Sequence, residues 1–243
     1  MTHTLNITVF YIATGRYISM WPDFYASFKN YFLPDCNRRI ILFTDKFEDI
    51  EAKNDVSIVK IPAHPWPYIT LLRFHIFMEH YELWKDSDYV FFMNANYLFK
   101  RKVSKRILPK SGLVAGQHSI YWKTPKDKLP YERNPHSTAY IPYGQGKFYF
   151  QGALNGGTSQ AYAAMCRELI TCIDEDLSND IIAIWHDESH LNRYLAEHGA
   201  KVINRYYLWP EERPHWIHKI FTVAILRDKA KMGGHNYMRN IEE

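Results

Sequence analysis

"DYVFFMNANYLF", residues 88–99, is the stretch on which the fold turns. Tyr89 to Met93 are apolar or aromatic without alternation, the pattern of a strand buried on both faces, as in a parallel sheet. The run ends in Asn94-Ala95-Asn96, two amides one residue apart, and no acidic residue follows Asp88 until Asp127. Open sheets of this kind gather ligand chemistry beyond the carboxyl ends of their strands. Asn94 and Asn96 therefore stand where a site is expected. The plainer account is a loop whose Asn residues tolerate left-handed backbone and cap the next element.

Upstream, "NITVFYI" (6–12) reads as a buried first strand, followed by the turn "ATG" and an amphipathic helix over about 18–32. "RRIILFTD" and "VSIVKIP" are two further strands. "TLLRFHIFMEHYELW" places Leu71, Leu72, Phe74, His75, Phe77, Met78 and Tyr81 at helical spacing. Downstream come the short strand "GLVAGQH" and a polar, proline-bearing stretch over 121–146, expected to be a long functional loop. The strand "KFYFQGAL", the turn "NGG" and a helix from 158 to about 173 come next. "WHDESHLNRYLAEHG" predicts a short helix closed by Gly199. The tail from Lys229 is basic and Gly-rich and is expected to be mobile. Strands alternating with helices predict a mixed, mostly parallel α/β sheet flanked by helices, in one domain spanning 1–243.

The totals bound the function. The chain has 243 residues, 47% hydrophobic and 23% charged, as in a globular protein with a substantial core. Aromatics reach 16%, with 18 Tyr and 7 Trp, rings that suit sugars and nucleobases as well as cores. A net charge of +4 with no long Lys/Arg run argues against a nucleic-acid groove and leaves room for a local anion site. Cys36, Cys166 and Cys172 form no CxxC and cannot all pair, which favours a reducing compartment. "MTHTLNITVFYI" has neither a basic leader nor a long apolar core, so a cytoplasmic protein without a transmembrane segment is expected.

Three further constellations carry chemistry. In "IWHDESHLNRYL", His186 and His190 are four apart, as zinc ligands on a helix are. Metalloprotease chemistry wants Glu directly after the first His, and Asp187 stands there with Glu188 one position on. Asp187 and Glu188 also suit a helix start, where the dipole favours acids and one could be the N-cap. The glycines of "FQGALNGG" permit either close approach of backbone to a ligand or a tight turn. Arg227, Lys229, Lys231 and Arg239 gather in the tail, as a solvated segment or as a lid over an anion.

In their order along the chain these segments resemble glycosyltransferase family 6, the family of the ABO blood-group transferases and α-1,3-galactosyltransferases. "TVFYIATGRYI", "LLRFHIF", "DYVFFMNANYLF", "YERNPHSTAYIP", "FYFQGALNGGT" and "IWHDESHLNRYL" carry the resemblance from Ile7 to Arg239. It implies a GT-A fold and retaining α-1,3 transfer of galactose, or alternatively N-acetylgalactosamine, from its UDP-sugar. The implied acceptor is an oligosaccharide ending in a β-galactoside, often fucosylated. Phe10, Tyr11, Ile12 and Tyr17 match the uridine-binding strand and turn, and Arg73 the donor-site arginine. Asn94 and Asn96 replace the Asp-x-Asp that holds a divalent cation in animal members. Neutral amides hold a hard cation poorly, so the resemblance with this replacement implies no metal and no other cofactor. Gln151, Gly152 and Ala153 match the triplet that tunes donor choice, with Ala at the third position favouring galactose. His186, Asp187 and Glu188 match the catalytic "HDE", with Glu188 as the catalytic carboxylate. His118, Trp185 and Glu188 fall on the acceptor side. Lys229 and Arg239 match the diphosphate-binding pair, with Lys231 able to replace Lys229, so that 229–243 would form a basic lid. A sugar-binding module without catalysis and a zinc hydrolase are the rival classes.

Overall fold

The computed structural model describes residues 4–213, 220–239 and 241. Strands β1 (Asn6–Ile12), β2 (Asn37–Thr44), β3 (Val56–Lys60) and β4 (Tyr89–Met93) lie parallel in the order β3-β2-β1-β4. After β4 the chain turns at Asn94-Ala95-Asn96, closed by Tyr97 N–H donating to the Asn94 carbonyl at 2.9 Å. It then leaves the sheet as β5 (Tyr97–Phe99). Residues 88–99 are thus two strands, not the single strand expected. The main sheet continues with β6 (Leu113–Gln117), β7 (Phe150–Thr158) and β8 (Lys201–Ile203), giving the order β3-β2-β1-β4-β7-β6-β8 with β7 antiparallel to both neighbours. A small second sheet joins β5, β9 (Trp209–Pro210) and β10 (Ala224–Leu226) in the order β5-β10-β9. This is the mixed, mostly parallel α/β sheet flanked by helices that the sequence predicts.

Alternation along β1 sorts the core into two layers. Val9 and Tyr11 face α1 (Trp21–Tyr31), packing with Phe24, Phe28 and Phe91. Phe10 faces the other way, stacked on Phe77 at 4.5 Å. Phe77 belongs to the pair α2 (Tyr68–Leu71) and α3 (Arg73–Glu79), which packs beside α4 (Ser159–Ser178) and α5 (Asp187–His198). The helix predicted over 18–32 is instead a 3-10 turn, Gly15–Met20, followed by α1. Pro22 lacks an N–H and is tolerated only in a first turn, so the α-helix begins there.

The expected "NGG" turn is strand. Asn155, Gly156 and Gly157 lie inside β7, paired with Phe92, Phe91 and Val90 of β4. A Cβ on Gly156 would sit 2.5 Å from the Val90 carbonyl oxygen, and one on Gly157 2.6 Å from that of Gly112. Both obstacles are backbone, so these glycines let three strands close together rather than reverse the chain. Thr158 caps α4, its hydroxyl accepting from Ala161 N–H. The segment 121–146 holds only one short 3-10 turn, Lys126–Lys128, and is otherwise the long loop expected. No helix among the described residues is long and apolar enough to cross a membrane.

Candidate active site

A cavity of about 520 Å³ opens at the carboxyl ends of β1 and β4. Ile12 ends β1, Asn94 and Ala95 follow β4, and Gln151, Gly152 and Ala153 of β7 form its floor. The amino-terminal end of α5 contributes Trp185, His186, Asp187 and Glu188. Arg73 opens α3, Tyr17 comes from the 3-10 turn after β1, and Lys229 and Arg239 come from the tail.

Two acidic groups meet under an arginine. The Glu188 carboxylate accepts from the Tyr149 hydroxyl on Oε1 and from Gly152 N–H on Oε2, each at 2.7 Å. Burial pushes its pKa up to about 7, with neighbouring Asp187 adding to the rise and the two hydrogen bonds and Arg73 opposing it. Asp187 is raised to about 6, again by burial against the pull of Arg73. Arg73 is itself buried; its Nε lies 3.2 Å from Asp187 Oδ2 and 3.1 Å from the Thr70 carbonyl. One terminal nitrogen donates to the Gly152 carbonyl at 3.2 Å, and the guanidinium lies 4.3 Å over Phe92. Gly152 thus ties Arg73 to Glu188 through one residue, and a Cβ there would reach 3.4 Å from both carboxylates. His186 precedes the pair at φ 53, ψ −127, its ring edge-on to Trp66 at 4.8 Å. It occupies the N-cap position itself, so neither Asp187 nor Glu188 is the N-cap considered from the sequence.

The two amides have separate surroundings. Asn94 lines the cavity, its N–H donating to the Ala153 carbonyl and its side-chain amide to Asn96 Oδ1, both at 3.0 Å. Asn96 is buried away from the cavity, and its amide donates to the Arg227 carbonyl at 3.0 Å. A hard dication needs several anionic oxygens. This turn offers neutral oxygens, one already occupied, so the donor set does not fit such an ion.

The tail folds across the mouth. A 3-10 turn, Lys229–Met232, leads through Gly233 into α6 (Gly234–Met238). Arg239 stacks 3.6 Å over Trp66, and Arg16 lies 3.8 Å over Tyr237. Lys229 Nζ hangs 5.3 Å over Tyr17, and burial with nearby Arg239 and Arg73 lowers its pKa to about 8.

Several positions differ from expectation. Phe10 and Tyr11 are fully buried core residues, and only Ile12 of that strand reaches the cavity. Tyr11 instead donates its hydroxyl to the Ala95 carbonyl at 2.8 Å, supporting the turn from behind. Lys231 points away to Glu211 at 3.1 Å, leaving Lys229 at the cavity. His118 stands outside the lining, its ring 5.8 Å from that of Tyr149. His186 and His190 do not converge, because His190 is buried toward Asp176 at 3.6 Å. Among the described residues the only cluster with metal-ligand spacing is Glu168, Glu197 and His198, exposed between α4 and α5. The zinc reading, which rested on His186 and His190, therefore finds no shared ligand site at that pair. Sequence reasoning does not single out Tyr149 or Trp66. Nothing marks Tyr149 among the aromatics of its strand, but Trp66 follows β3, and the strand-end rule could have found it.

A family model, Glycosyltransferase family 6, matches residues 1–240. The O-antigen biosynthesis glycosyltransferase WbnI of Escherichia coli is 30% identical over 207 residues, covering 85% of this chain and 88% of that protein. Globoside alpha-1,3-N-acetylgalactosaminyltransferase 1 of Homo sapiens is 29% identical over 220 residues, 87% of this chain and 62% of its own length. Histo-blood group ABO system transferase 2 of Rattus norvegicus is 28% identical over 223 residues, 88% of this chain and 65% of its own. The chain thus spans less than two thirds of these two mammalian relatives.

Proposed function

The chain belongs to glycosyltransferase family 6, with a GT-A-like fold, and on that footing we propose that it is a retaining, metal-independent α-1,3-galactosyltransferase. The donor is UDP-galactose, with UDP-N-acetylgalactosamine the alternative suggested by the name of the human relative. The acceptor is an oligosaccharide ending in a fucosylated β-galactoside. One observation carries the reading: Glu188 is fixed by Tyr149 and Gly152 on the floor of a cavity that Lys229 and Arg239 also line.

In the proposed reaction the bond from the sugar's anomeric carbon to the UDP oxygen breaks. A bond to the acceptor's 3-oxygen forms on the same face, and the hydroxyl proton passes to the departing diphosphate. Glu188 stands at the opposite face, as a nucleophile or as fixed negative charge beside an oxocarbenium-like carbon. Either role requires the ionised form. Arg73 keeps Asp187 and the Gly152 peptide in place beside it. Lys229 and Arg239 stabilise charge growing on the diphosphate, in the role a cation fills elsewhere. Free thiols at Cys36, Cys166 and Cys172 are consistent with a cytoplasmic site of action.

The test is a screen of both UDP-sugars against β-galactosides with and without fucose, in EDTA, with product linkage read by NMR. An α-1,3 product is expected. A β product would refute retention, and a chain that binds sugars without releasing UDP would be the non-catalytic module.

A further inference from the structure

A run of ring contacts leads from Glu188 through the buried Tyr149 to a surface that the proposed reaction leaves unused. Tyr149, which holds Glu188, lies 5.4 Å ring to ring from Tyr121. Beside Tyr121, Trp122 is 37% exposed and carries the Arg205 guanidinium over its ring at 3.5 Å. Arg205 also donates to the Tyr206 hydroxyl at 3.1 Å, and Tyr206 lies 5.7 Å from Phe221, which is 55% exposed. Of these rings Trp122 and Phe221 are exposed, and Phe221 with the uncovered part of Trp122 offers apolar surface to the C–H faces of sugars.

The path is also cationic. Lys123 lies 4.5 Å over the Trp122 ring, and the charge of Arg213 acts on the His118 ring beside Tyr121. Among the described residues, no carboxylate pairs with Lys123, Arg205 or Arg213, and Arg205 Nε is buried without a partner. Of the two acids preceding Arg213, Glu211 is turned to Lys231, and the charge of Glu212 acts on His235 of the tail. Guanidinium groups pre-set on aromatic faces suit carboxylate or phosphate oxygens.

We propose that Trp122, Arg205 and Phe221, with Lys123 and Arg213, form an outer acceptor subsite that grips an acidic sugar beyond the galactoside being modified. The proposal rests on the transferase reading above and adds the acceptor's charge and length to it. A neutral disaccharide would reach Glu188 without touching this surface. A longer chain would cross it.

The experiment compares kcat/KM for three acceptors: a neutral β-galactoside disaccharide, a neutral tetrasaccharide with the same end, and that tetrasaccharide carrying glucuronic acid in its inner half. The acidic chain should exceed the neutral tetrasaccharide by about fivefold at low salt, the scale of one partly exposed ion pair. The advantage should shrink as salt rises. Arg205→Gln should abolish the preference for acid, and Trp122→Ala should lower both tetrasaccharides, while disaccharide rates and Tm stay near wild type. Trp122→Tyr keeps a ring and should restore most of the loss, should the alanine variant fold poorly. Equal rates for both tetrasaccharides, or a preference surviving Arg205→Gln, would overturn the proposal. So would Trp122-dependent binding to phosphatidylglycerol vesicles without any acceptor preference, which would assign the surface to a membrane. If no acceptor reacts, the disaccharide included, it is the transferase reading that fails.

Discussion

Asn96 and Arg227 hold each other twice: the Asn96 side chain donates to the Arg227 carbonyl at 3.0 Å, and Arg227 N–H donates to the Asn96 carbonyl at 2.8 Å. The second amide of the turn is therefore a clamp on the root of the tail, two residues before Lys229. A carboxylate there could not donate, and would face a carbonyl oxygen.

The clamp makes metal independence the first prediction. Sugar transfer should persist in EDTA and gain little from Mn²⁺. Asn96→Asp should lower stability by about 1–3 kcal/mol, the cost of a buried acceptor left without its donor, without creating strong metal dependence. Loss of most wild-type activity in chelator, restored by Mn²⁺, would refute it.

Glu188 carries the second. Glu188→Gln should reduce kcat by about a hundredfold or more while UDP-sugar affinity changes little. The wild-type kcat/KM should climb with pH through about 7 as Glu188 ionises. Stability has the opposite sign. A carboxyl raised from 4.5 to about 7 by folding stabilises the fold below 4.5 and loses that contribution as pH rises through about 7. The Gln variant lacks this titration, so its Tm relative to wild type should increase from pH 5 to pH 8. A difference independent of pH would mean that burial does not raise Glu188.

How far the sequence carried is clearest at these residues. Asn94 stood out because a parallel sheet puts function at strand ends, whereas Arg73, Asp187 and Glu188 were picked out through the family resemblance; all four line the cavity. Phe10 and Tyr11 were not separable from Ile12, since a strand buried on both faces has no polar alternation to say which residue reaches the end. "NGG" reads as a turn from composition. Only the distance to the Val90 and Gly112 carbonyls, set by strands remote in sequence, makes it strand. Asn96 needed the tail's position, a contact across 131 residues.

Lys229 should report the diphosphate through protons. Its pKa, lowered to about 8, should rise when UDP places negative charge beside it. Calorimetry at pH 8 in buffers of different ionisation heat should show proton uptake on UDP binding, and affinity should fall at higher pH. Lys229→Ala or Arg239→Ala should weaken UDP by roughly tenfold or more, the scale of one charged hydrogen bond. Truncation after Asp228 should do so without unfolding the core. Unchanged binding without the tail would move the cation's substitute to Arg73 or Arg16.

On the proposed reading, donor choice rests on one methyl group, that of Ala153. Ala153 lines the cavity from β7, and its carbonyl is fixed by Asn94 N–H at 3.0 Å, so the methyl cannot easily retreat. Overlap by one methyl in a close-packed pocket costs about 1–3 kcal/mol, a tenfold preference or more. UDP-galactose should therefore give the higher kcat/KM, and Ala153→Gly should raise use of UDP-N-acetylgalactosamine. A wild-type preference for the larger donor would defeat this.

β7 divides into two unequal halves. Gln151 and Ala153 line the cavity, whereas Gly156 and Gly157 accept nothing larger than hydrogen without displacing neighbouring backbone. On the proposed donor site, mutational drift at Gln151 and Ala153 can try new donors, while Gly152 and the second half of the strand hold the architecture unchanged. If the donor sugar sits on this strand as proposed, libraries meant to redirect substrate preference should vary Gln151 and Ala153, spare Gly152, and stop before Asn155.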